Sequence, residues 1–236
     1  MEFKIALIGT DTPHRRFIIN KLFQLGFPIK LCIFQKSSLL PKFNTKPSWF
    51  SKEYNALSDA FSSINLTLNN ESAVHYVDTL NSIEVINKLE NENINLFIVS
   101  GAGIIKNELL KLISLNALNV HMGNAHEYRG LDTYLWAIYH KDFRNVGVTV
   151  HALDKTLDTG DVYRYTRLKL KEDTPIWMLR YYESIIAIEI LKDACIEKEN
   201  GTIKLVKQKS FGRYYSFMPG AIKDILPQIL KAKDFN

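Results

Sequence analysis

Residues 119–161 read NVHMGNAHEYRGLDTYLWAIYHKDFRNVGVTVHALDKTLDTGD, and this stretch decides the fold and the chemistry that the sequence predicts. Asn119 and His121 come at the end of a short apolar run, and Asp158 lies in a turn-rich segment between two strand-like runs. An amide N–H can hold an oxyanion, and an imidazole can accept a proton from an attacking amine near neutral pH. A carboxylate can fix the imidazole tautomer and favour its charged form, so the three residues form a candidate catalytic set for acyl transfer.

Each of these residues also has an ordinary structural interpretation. A lone Asn at a strand end usually forms a turn, and a lone His after a strand is more often a hydrogen-bonded structural residue. Asp-Thr-Gly-Asp is typical of a β-turn. The wider order of motifs favours a catalytic set: Asn-x-His, then Arg129-Gly130, then the strand-like GVTVH at 147–151, then Asp-x-Gly at 158–160.

This order of motifs resembles the N10-formyltetrahydrofolate-dependent formyltransferases, a family that includes methionyl-tRNA formyltransferase, glycinamide ribonucleotide transformylase and the sugar N-formyltransferases. The resemblance is strong over residues 95–165 and looser over 1–95. It implies that Asn119, His121 and Asp158 are the catalytic triad. The family usually has Ser-Leu-Leu-Pro after Asn-x-His-x, whereas this chain has Gly123-Asn124-Ala125-His126, which changes the adjacent substrate loop.

Composition indicates one large α/β domain, or one domain with a small appendage. The chain has 236 residues, and 46% of them are hydrophobic, which is enough to build a core. Cys32 and Cys195 lie in apolar runs and are expected to be buried hydrophobes, with no disulfide or metal role, as in a reducing cytoplasm. The N-terminal MEFKIALIG lacks the features of a signal peptide, and no apolar run approaches the length of a membrane span.

The net charge of +5 and the pI near 9.0 suit an anionic ligand such as a nucleotide, a polyglutamated folate or tRNA. The positive charge is too small and too dispersed to indicate nucleic-acid binding, and no arginine cluster is interleaved with aromatic residues. A metal site is not expected either. His121 and His126 are five residues apart beside Glu127, which matches neither HExxH nor a cysteine-bearing zinc spacing.

Alternating strand and helix patterns predict a Rossmann-like, doubly wound, mostly parallel sheet with a small C-terminal helix and hairpin extension. We expect a catalytic domain over 1–170 and an extension over 171–236. Thr174 and Pro175 predict the start of a long helix that ends before Asn200-Gly201, and residues 204–209 and 214–217 suggest a small hairpin or an extended tail. The remaining predicted strands are 4–8, 28–34, 74–77, 95–100, 117–120, 146–153 and 162–170, and the remaining predicted helices are 17–25, 82–91, 108–114, 131–140 and 221–230.

Two glycines follow the clearest buried strand, at a sheet edge where a ligand can approach the main chain closely. By resemblance, this loop and the next strand end bind the pterin of N10-formyltetrahydrofolate through Gly101, Gly103, Ile104, Ile105, His151, Leu153 and Asp154. The first loop lacks the dinucleotide fingerprint G-x-G-x-x-G, but His14 and Arg15 at a helix start could receive a phosphate or simply be solvated. Tyr128, Arg129 and Gly130 complete the candidate substrate site by resemblance.

The resemblance implies formyl transfer to the amine of a nucleotide-linked amino sugar, in a cytoplasmic homodimer that serves lipopolysaccharide O-antigen biosynthesis. The 75 residues after Asp161 are too few for the C-terminal barrel of the tRNA enzyme, and the tail SFGRYYSFMPGAIKD resembles the end of sugar N-formyltransferases. The alternatives are formyl transfer to another small amine, such as glycinamide ribonucleotide, and a catalytically silent ligand-binding module on the same fold.

Overall fold

The computed structural model of the chain describes residues 2–36, 40–61, 73–171 and 173–232. Within these ranges the strands are β1 (Ile5–Thr10), β2 (Ile29–Gln35), β3 (Ala73–Val77), β4 (Leu96–Ser100), β5 (Ala117–Met122), β6 (Tyr128–Gly130), β7 (Gly147–Ala152), β8 (Val162–Arg167) and β9 (Arg213–Tyr215). The helices are α1 (Pro13–Gln24), α2 (Phe50–Phe61), α3 (Ile83–Asn91), α4 (Asn107–Ile113), α5 (Thr133–Tyr139), α6 (Leu179–Glu199) and α7 (Gly220–Lys231).

Seven of the described strands form one sheet in the order β3-β2-β1-β4-β5-β7-β8. The first five are parallel, and β7 and β8 are antiparallel to their neighbours. This confirms the predicted Rossmann-like, mostly parallel architecture. The carboxyl ends of β1, β4 and β5 lie side by side, and the loops that follow them therefore meet at one edge of the sheet.

The sheet is buried on both faces, which explains why its central strands are continuous apolar runs. Side chains alternate along β1: Ile5 and Leu7 pack against the layer of α1 and α6, whereas Ala6 and Ile8 pack against α3 and α4. Cys32 and Cys195 are buried and unpaired in the first of these layers, as predicted. None of the described helices is long and apolar enough to cross a membrane.

A third apolar cluster lies under the C-terminal part of the chain. It joins α5 to α7 and includes Trp49, Tyr134, Met218 and Leu226. Trp49 is buried within this cluster, and its indole N–H donates to the Lys223 carbonyl at 3.3 Å. The cluster fixes α5, which begins twelve residues after His121, against the C-terminal helix.

The predicted C-terminal hairpin is wrong. Strand β9 pairs in parallel with β6, and Val206 makes a single antiparallel bridge with Val162 of β8. The pairing partner of β9 is thus about eighty residues away, and Gly130 permits it, because a Cβ at this position would lie 2.1 Å from the Tyr215 carbonyl oxygen. Local periodicity identifies an extended segment but does not identify the strand with which it pairs.

Two helix starts also differ from the prediction. Helix α1 begins at Pro13, four residues earlier than its apolar pattern indicated, because proline is well suited to the first turn. The Thr174 hydroxyl accepts from the Lys171 N–H at 2.8 Å, so it closes a turn where we expected a helix cap. The long helix α6 begins only at Leu179, after a short 3-10 turn at Ile176–Met178, and ends before Asn200 as predicted.

Glu183 on α6 is completely buried, and neither of its carboxylate oxygens has a hydrogen-bond partner among the described residues. Burial raises the pKa of this carboxyl well above its usual value, despite an opposing effect of Arg180. Glu183 therefore keeps its proton in the folded protein at pH values at which the unfolded chain has released it. This difference makes folding less favourable as the pH rises above about 4.5.

We expect Glu183→Gln to remove this pH dependence while the shape of the side chain is kept. The free energy of unfolding of the variant should rise relative to that of the parent, by up to about 1.4 kcal/mol per pH unit above pH ~4.5, until the pKa of the folded protein is reached. Urea titrations between pH 4 and pH 8 measure the difference. Glu189→Gln, at an exposed position of the same helix, is the control. Parallel stability curves for the parent and Glu183→Gln would contradict the prediction.

Candidate active site

The residues of the predicted triad meet on one side of the central sheet. Asn119 and His121 are two residues apart on β5, so their side chains project from the same face. Asp158 lies in the loop between β7 and β8, and its Oδ1 is 3.5 Å from His121 Nδ1 and 3.3 Å from Asn119 Nδ2. A fourth side chain joins them, because His151 on β7 is the register partner of Asn119 and its Nε2 lies 3.4 Å from Asp158 Oδ1.

Asp158 adopts a left-handed backbone conformation, with a φ of +56°, which aspartate tolerates better than most residues. The Gly130 N–H donates to its Oδ2 at 2.7 Å. The side-chain amide of the buried Gln208 donates to the carbonyl oxygens of Asp158 at 3.1 Å and of Gly160 at 2.7 Å. Sequence analysis missed Gln208, because a glutamine fifty residues downstream in a polar segment carries no local signal of this contact.

The side chain of His151 orients the amide of Asn119. His151 Nδ1 lies 2.8 Å from the Ala152 carbonyl oxygen, which can only accept, so Nδ1 carries the hydrogen. Nε2 is then an acceptor, and Asn119 Nδ2 donates to it at 3.0 Å. The sequence placed the main chain of the strand end at His151 against the pterin. The His151 side chain is 2% exposed, and both of its ring nitrogens have protein partners.

The tautomer of His121 is fixed in the same way. Its Nε2 is 2.8 Å from the carbonyl oxygen of Tyr128 and 3.3 Å from Thr133 Oγ1, whose own hydroxyl donates to the Met122 carbonyl. Nε2 therefore carries the hydrogen, and the lone pair is on Nδ1, which faces Asp158. A proton taken up by His121 will be located at Nδ1, next to the Asp158 carboxylate.

Burial and charge act in opposite directions on the site. Burial lowers the pKa of His121 below its usual value, and the Asp158 carboxylate only partly reverses this shift, so the ring is neutral at pH 7. For Asp158, burial alone would raise the pKa, but the positive charge that His121 and His151 carry once protonated, together with the Gly130 N–H, outweighs burial and holds the pKa below its usual value. The site thus combines a neutral imidazole, which can act as a base, with a permanent carboxylate.

The loop that replaces the family's Ser-Leu-Leu-Pro is held by its own polar groups. The Asn124 side chain accepts from the His126 N–H at 3.1 Å and donates to Asn145 at 2.7 Å. The Ala125 N–H donates to Thr149 Oγ1 at 3.1 Å, and that hydroxyl donates to the Gly123 carbonyl at 2.7 Å. These bonds give a defined turn at 123–127 without the proline.

The two segments predicted to bind folate lie close together. Gly101 and Gly103 have φ values of +58° and +67°, which require glycine or a strained substitute. Leu153 and Ile105 both pack against the apolar cluster that contains Ala102, whereas Ile104 is exposed. Asp154 organises its own loop, accepting from the Lys155 N–H at 2.6 Å and from Thr159 Oγ1 at 3.3 Å.

The structure does not favour the predicted phosphate contact at His14 and Arg15. His14 is buried, and burial together with Arg15 and Arg180 lowers its pKa well below the usual value, so it brings no charge. The guanidinium of Arg15 donates to Thr10, to Thr12 and to Ser100 Oγ at 3.1 Å, and it lies where a Cβ on Gly101 would project. Burial lowers the pKa of Arg15 to about 9. Arg15 therefore supports the Gly101 loop from inside.

Tyr128, Arg129 and Gly130 contribute to the site in different ways. Tyr128 is buried with its hydroxyl donating to Asp142 at 3.2 Å, and it reaches the site only through its carbonyl, which fixes His121. Gly130 contributes its N–H to Asp158. The Arg129 Nε donates to the Gly212 carbonyl at 2.8 Å, and its side chain is partly exposed.

Comparison with known proteins agrees with this geometry. The family model "Formyl transferase" matches residues 59–177, which is half of the chain. The fold and the site define an α/β transferase with an amide, an imidazole and a carboxylate at the sheet edge. The chain belongs to the formyl transferase family.

Methionyl-tRNA formyltransferase of Caldanaerobacter subterraneus subsp. tengcongensis is 27% identical over 146 residues, which cover 61% of this chain and 46% of that protein. The chain spans about half the length of the curated relatives that it matches. A sugar N-formyltransferase structure from Shewanella has a TM-score of 0.63 at 13% identity, covering 99% of this chain and 89% of that one. A formyltransferase structure from Anoxybacillus kamchatkensis has a TM-score of 0.54 at 18% identity, covering 98% and 100%. At these identities the structures show a shared fold.

We expect Asp158→Asn to lower the pKa of His121 further, because the carboxylate is the main group that raises it against burial. NMR titration of the His121 ring measures this shift without any assay of activity. Asp154→Asn, in the same loop but bonded to Lys155 and Thr159, should leave the pKa of His121 unchanged. Equal His121 pKa values in the parent and Asp158→Asn would show that the carboxylate does not act on this ring.

Proposed function

We propose that the protein transfers a formyl group from N10-formyltetrahydrofolate to the amine of a nucleotide-linked amino sugar. One observation carries the proposal: Asn119 Nδ2 and His121 Nδ1 both lie within 3.5 Å of one Asp158 oxygen, next to a glycine loop at the sheet edge. An oxyanion donor, a base and a charge that stabilises the protonated base are the parts that acyl transfer to an amine requires.

The residues of the glycine loop fit a folate. The main chain at Gly103 is open to a polar ring edge, since nothing lies within 4 Å of the position that a Cβ there would occupy, whereas the Gly101 carbonyl accepts from Thr10 Oγ1 at 3.2 Å. Ile105 and Leu153 supply apolar side chains for a ring face, and Ile104 is exposed beside them. When bound there, N10-formyltetrahydrofolate supplies the formyl group.

His121 serves as the base. It is neutral at pH 7 because burial lowers its pKa, and its free lone pair is on Nδ1. It accepts, directly or through one water, the proton that the amine releases on bonding to the formyl carbon, and it returns that proton to N10 of the leaving tetrahydrofolate as the bond between the formyl carbon and N10 breaks. The proton then lies between His121 and Asp158, where the carboxylate stabilises the imidazolium.

Asn119 supports the charge that develops on the formyl oxygen. One of its N–H groups is held by His151 at 3.0 Å, which keeps the amide in a single orientation. The other makes a longer contact of 3.3 Å with Asp158, and this weaker bond is the one that a developing oxyanion replaces. Asp158 remains charged throughout, because its pKa is held below its usual value.

A sugar acceptor is supported by two comparisons in fold. The Shewanella sugar N-formyltransferase aligns with 99% of this chain, so it includes the region after the catalytic sheet. The Anoxybacillus enzyme was solved with UDP-4,6-dideoxy-4-formamido-L-AltNAc and tetrahydrofolate, a nucleotide sugar and a folate together. We extend the same proposal to a cytoplasmic homodimer that serves O-antigen synthesis, with residues 171–236 as the extension of a catalytic domain over 1–170.

Methionyl-tRNA is the competing acceptor, because the curated relatives by sequence are methionyl-tRNA formyltransferases. The chain covers less than half of the first of those proteins, so the likeness concerns a region that formyltransferases with different acceptors share. An assay must therefore compare the two acceptors directly.

We expect the purified protein with N10-formyltetrahydrofolate to add one formyl group to a nucleotide-linked amino sugar from a panel, detected by mass spectrometry. Asn119→Ala should lower kcat by about 10²–10³, the cost of losing one oxyanion donor. Asp158→Asn should lower kcat with little change in KM, because its charge matters mainly after proton transfer. Formylation of methionyl-tRNA alone would replace the sugar as acceptor, and parental turnover in Asp158→Asn would remove the proposed mechanism.

We expect Gly103→Ala to raise the KM for N10-formyltetrahydrofolate at least fivefold, because the added methyl projects into the open space of the loop. The substitution also strains the backbone, since φ is +67° at this position. Gly201→Ala is the matched control: its φ is +68°, its Cβ also meets nothing within 4 Å, and it lies beyond α6. An equal KM in both variants would argue against folate binding at this loop.

A further inference from the structure

A two-stranded sheet beside Asp158 has two different faces. Strand β6 pairs with β9 so that Arg129 lies opposite Tyr214 and Gly130 opposite Tyr215. Because side chains alternate along a strand, Tyr128 and Tyr215 share one face, and Arg129 and Tyr214 share the other. The first face is packed and the second is open to solvent.

The packed face makes the small sheet rigid. Tyr215 stacks on Tyr128 with ring centroids 5.3 Å apart and on Trp136 at the same distance, and the Trp136 indole N–H donates to the Ser216 carbonyl at 2.9 Å. A pair of three-residue strands would not persist alone, and this aromatic stack supplies the burial that they lack. The open face is therefore a fixed surface.

The open face carries one cation and two aromatic rings. Tyr214 is 51% exposed and Phe211, just before β9, is 58% exposed. The Arg129 guanidinium lies over the Phe211 ring at 5.9 Å, and it has no carboxylate within ion-pair distance among the described residues. A cation that no described carboxylate pairs with, on a face that also carries two exposed rings, matches a ligand that has both an anionic group and flat rings.

The groups are arranged in order of distance from the triad. Gly130 bonds to Asp158 directly, and the Tyr214 ring packs on Gly130, where an added Cβ would lie 2.8 Å from Tyr214 Cε2. Beyond Tyr214, the side chain of Arg129 turns away along the strand to the Gly212 carbonyl and to Phe211. An extended ligand that lies along this face from the triad outward would contact the Tyr214 ring, then the Arg129 cation, then the Phe211 ring.

We infer that this face, consisting of Arg129, Phe211 and Tyr214, binds the nucleoside diphosphate part of the acceptor. The base stacks on Phe211, the diphosphate pairs with Arg129, and the sugar passes over Tyr214 toward Asp158. The inference rests on the proposed function and adds to it the surface that recognises the nucleotide. The folate lies elsewhere in this arrangement, at the glycine loop and Leu153.

Isothermal titration calorimetry with UDP, dTDP and pyrophosphate tests the inference. Phe211→Ala and Tyr214→Ala should weaken the nucleoside diphosphate that the parent binds by roughly five- to a hundredfold, the effect of losing one stacking ring. Tyr214→Phe should bind like the parent. Arg129→Gln should weaken pyrophosphate, which Phe211→Ala should leave unchanged. Tyr54→Ala, which removes a tyrosine of similar exposure on α2, is the matched control.

Several outcomes would overturn the inference. The inference is wrong if the parent binds neither UDP nor dTDP. It is also wrong if the variants lose affinity for tetrahydrofolate while their affinity for the nucleoside diphosphate is unchanged. Conversion of an oligomer to a monomer with unchanged nucleotide affinity would assign the face to a second copy of the chain. Loss of formyl transfer alone, with the nucleotide results as expected, would count against the proposed function and leave this surface in place.

Discussion

The carboxylate of Asp158 is the charge around which the site is built. It is nearly enclosed by protein, where an isolated carboxylate would become neutral, and it stays ionised because the Gly130 N–H and the Asn119 amide donate to it and because two histidines beside it can become positively charged. Each of those groups is fixed by something else: His121 by the Tyr128 carbonyl, His151 by the Ala152 carbonyl, and Gly130 by its pairing with β9. The charge and the geometry therefore depend on each other, since displacing any one partner leaves a buried ion less compensated.

The parts of the fold that the sequence predicted are those that local patterns determine. Strands such as β1 and β4 are buried on both faces and appear as unbroken apolar runs, and Ser82 caps α3 as its position indicates. Asn119 and His121 were placed together because two positions on one strand share a face. The pairing of β9 with β6 was not predictable in the same way, because it depends on segments far apart in the chain.

The sequence predicted which residues form the site better than it predicted the hydrogen bonds that hold them. The motif order identified Asn119, His121 and Asp158, but not which neighbour fixes each one. Gln208 lies in a polar stretch that has no regular pattern, and nothing in the sequence indicated that the His151 side chain orients Asn119. His14 and Arg15 were proposed from their position at a helix start, whereas burial makes one neutral and the other is bonded to hydroxyl groups. Burial is a property of the assembled layers, so a single sequence carries little sign of it.

The hydrogen bonds from Gln208 to the Asp158 loop also affect the order in which the sheet and the site form during synthesis of the chain. Strands β1 to β8 lie within the first 167 residues and can form the sheet as the chain leaves the ribosome. The loop that carries Asp158 gains the hydrogen bonds of Gln208, and Gly130 its pairing with β9, only when segments some fifty residues later in the chain have been made. A nascent chain therefore has its scaffold well before it has a working centre.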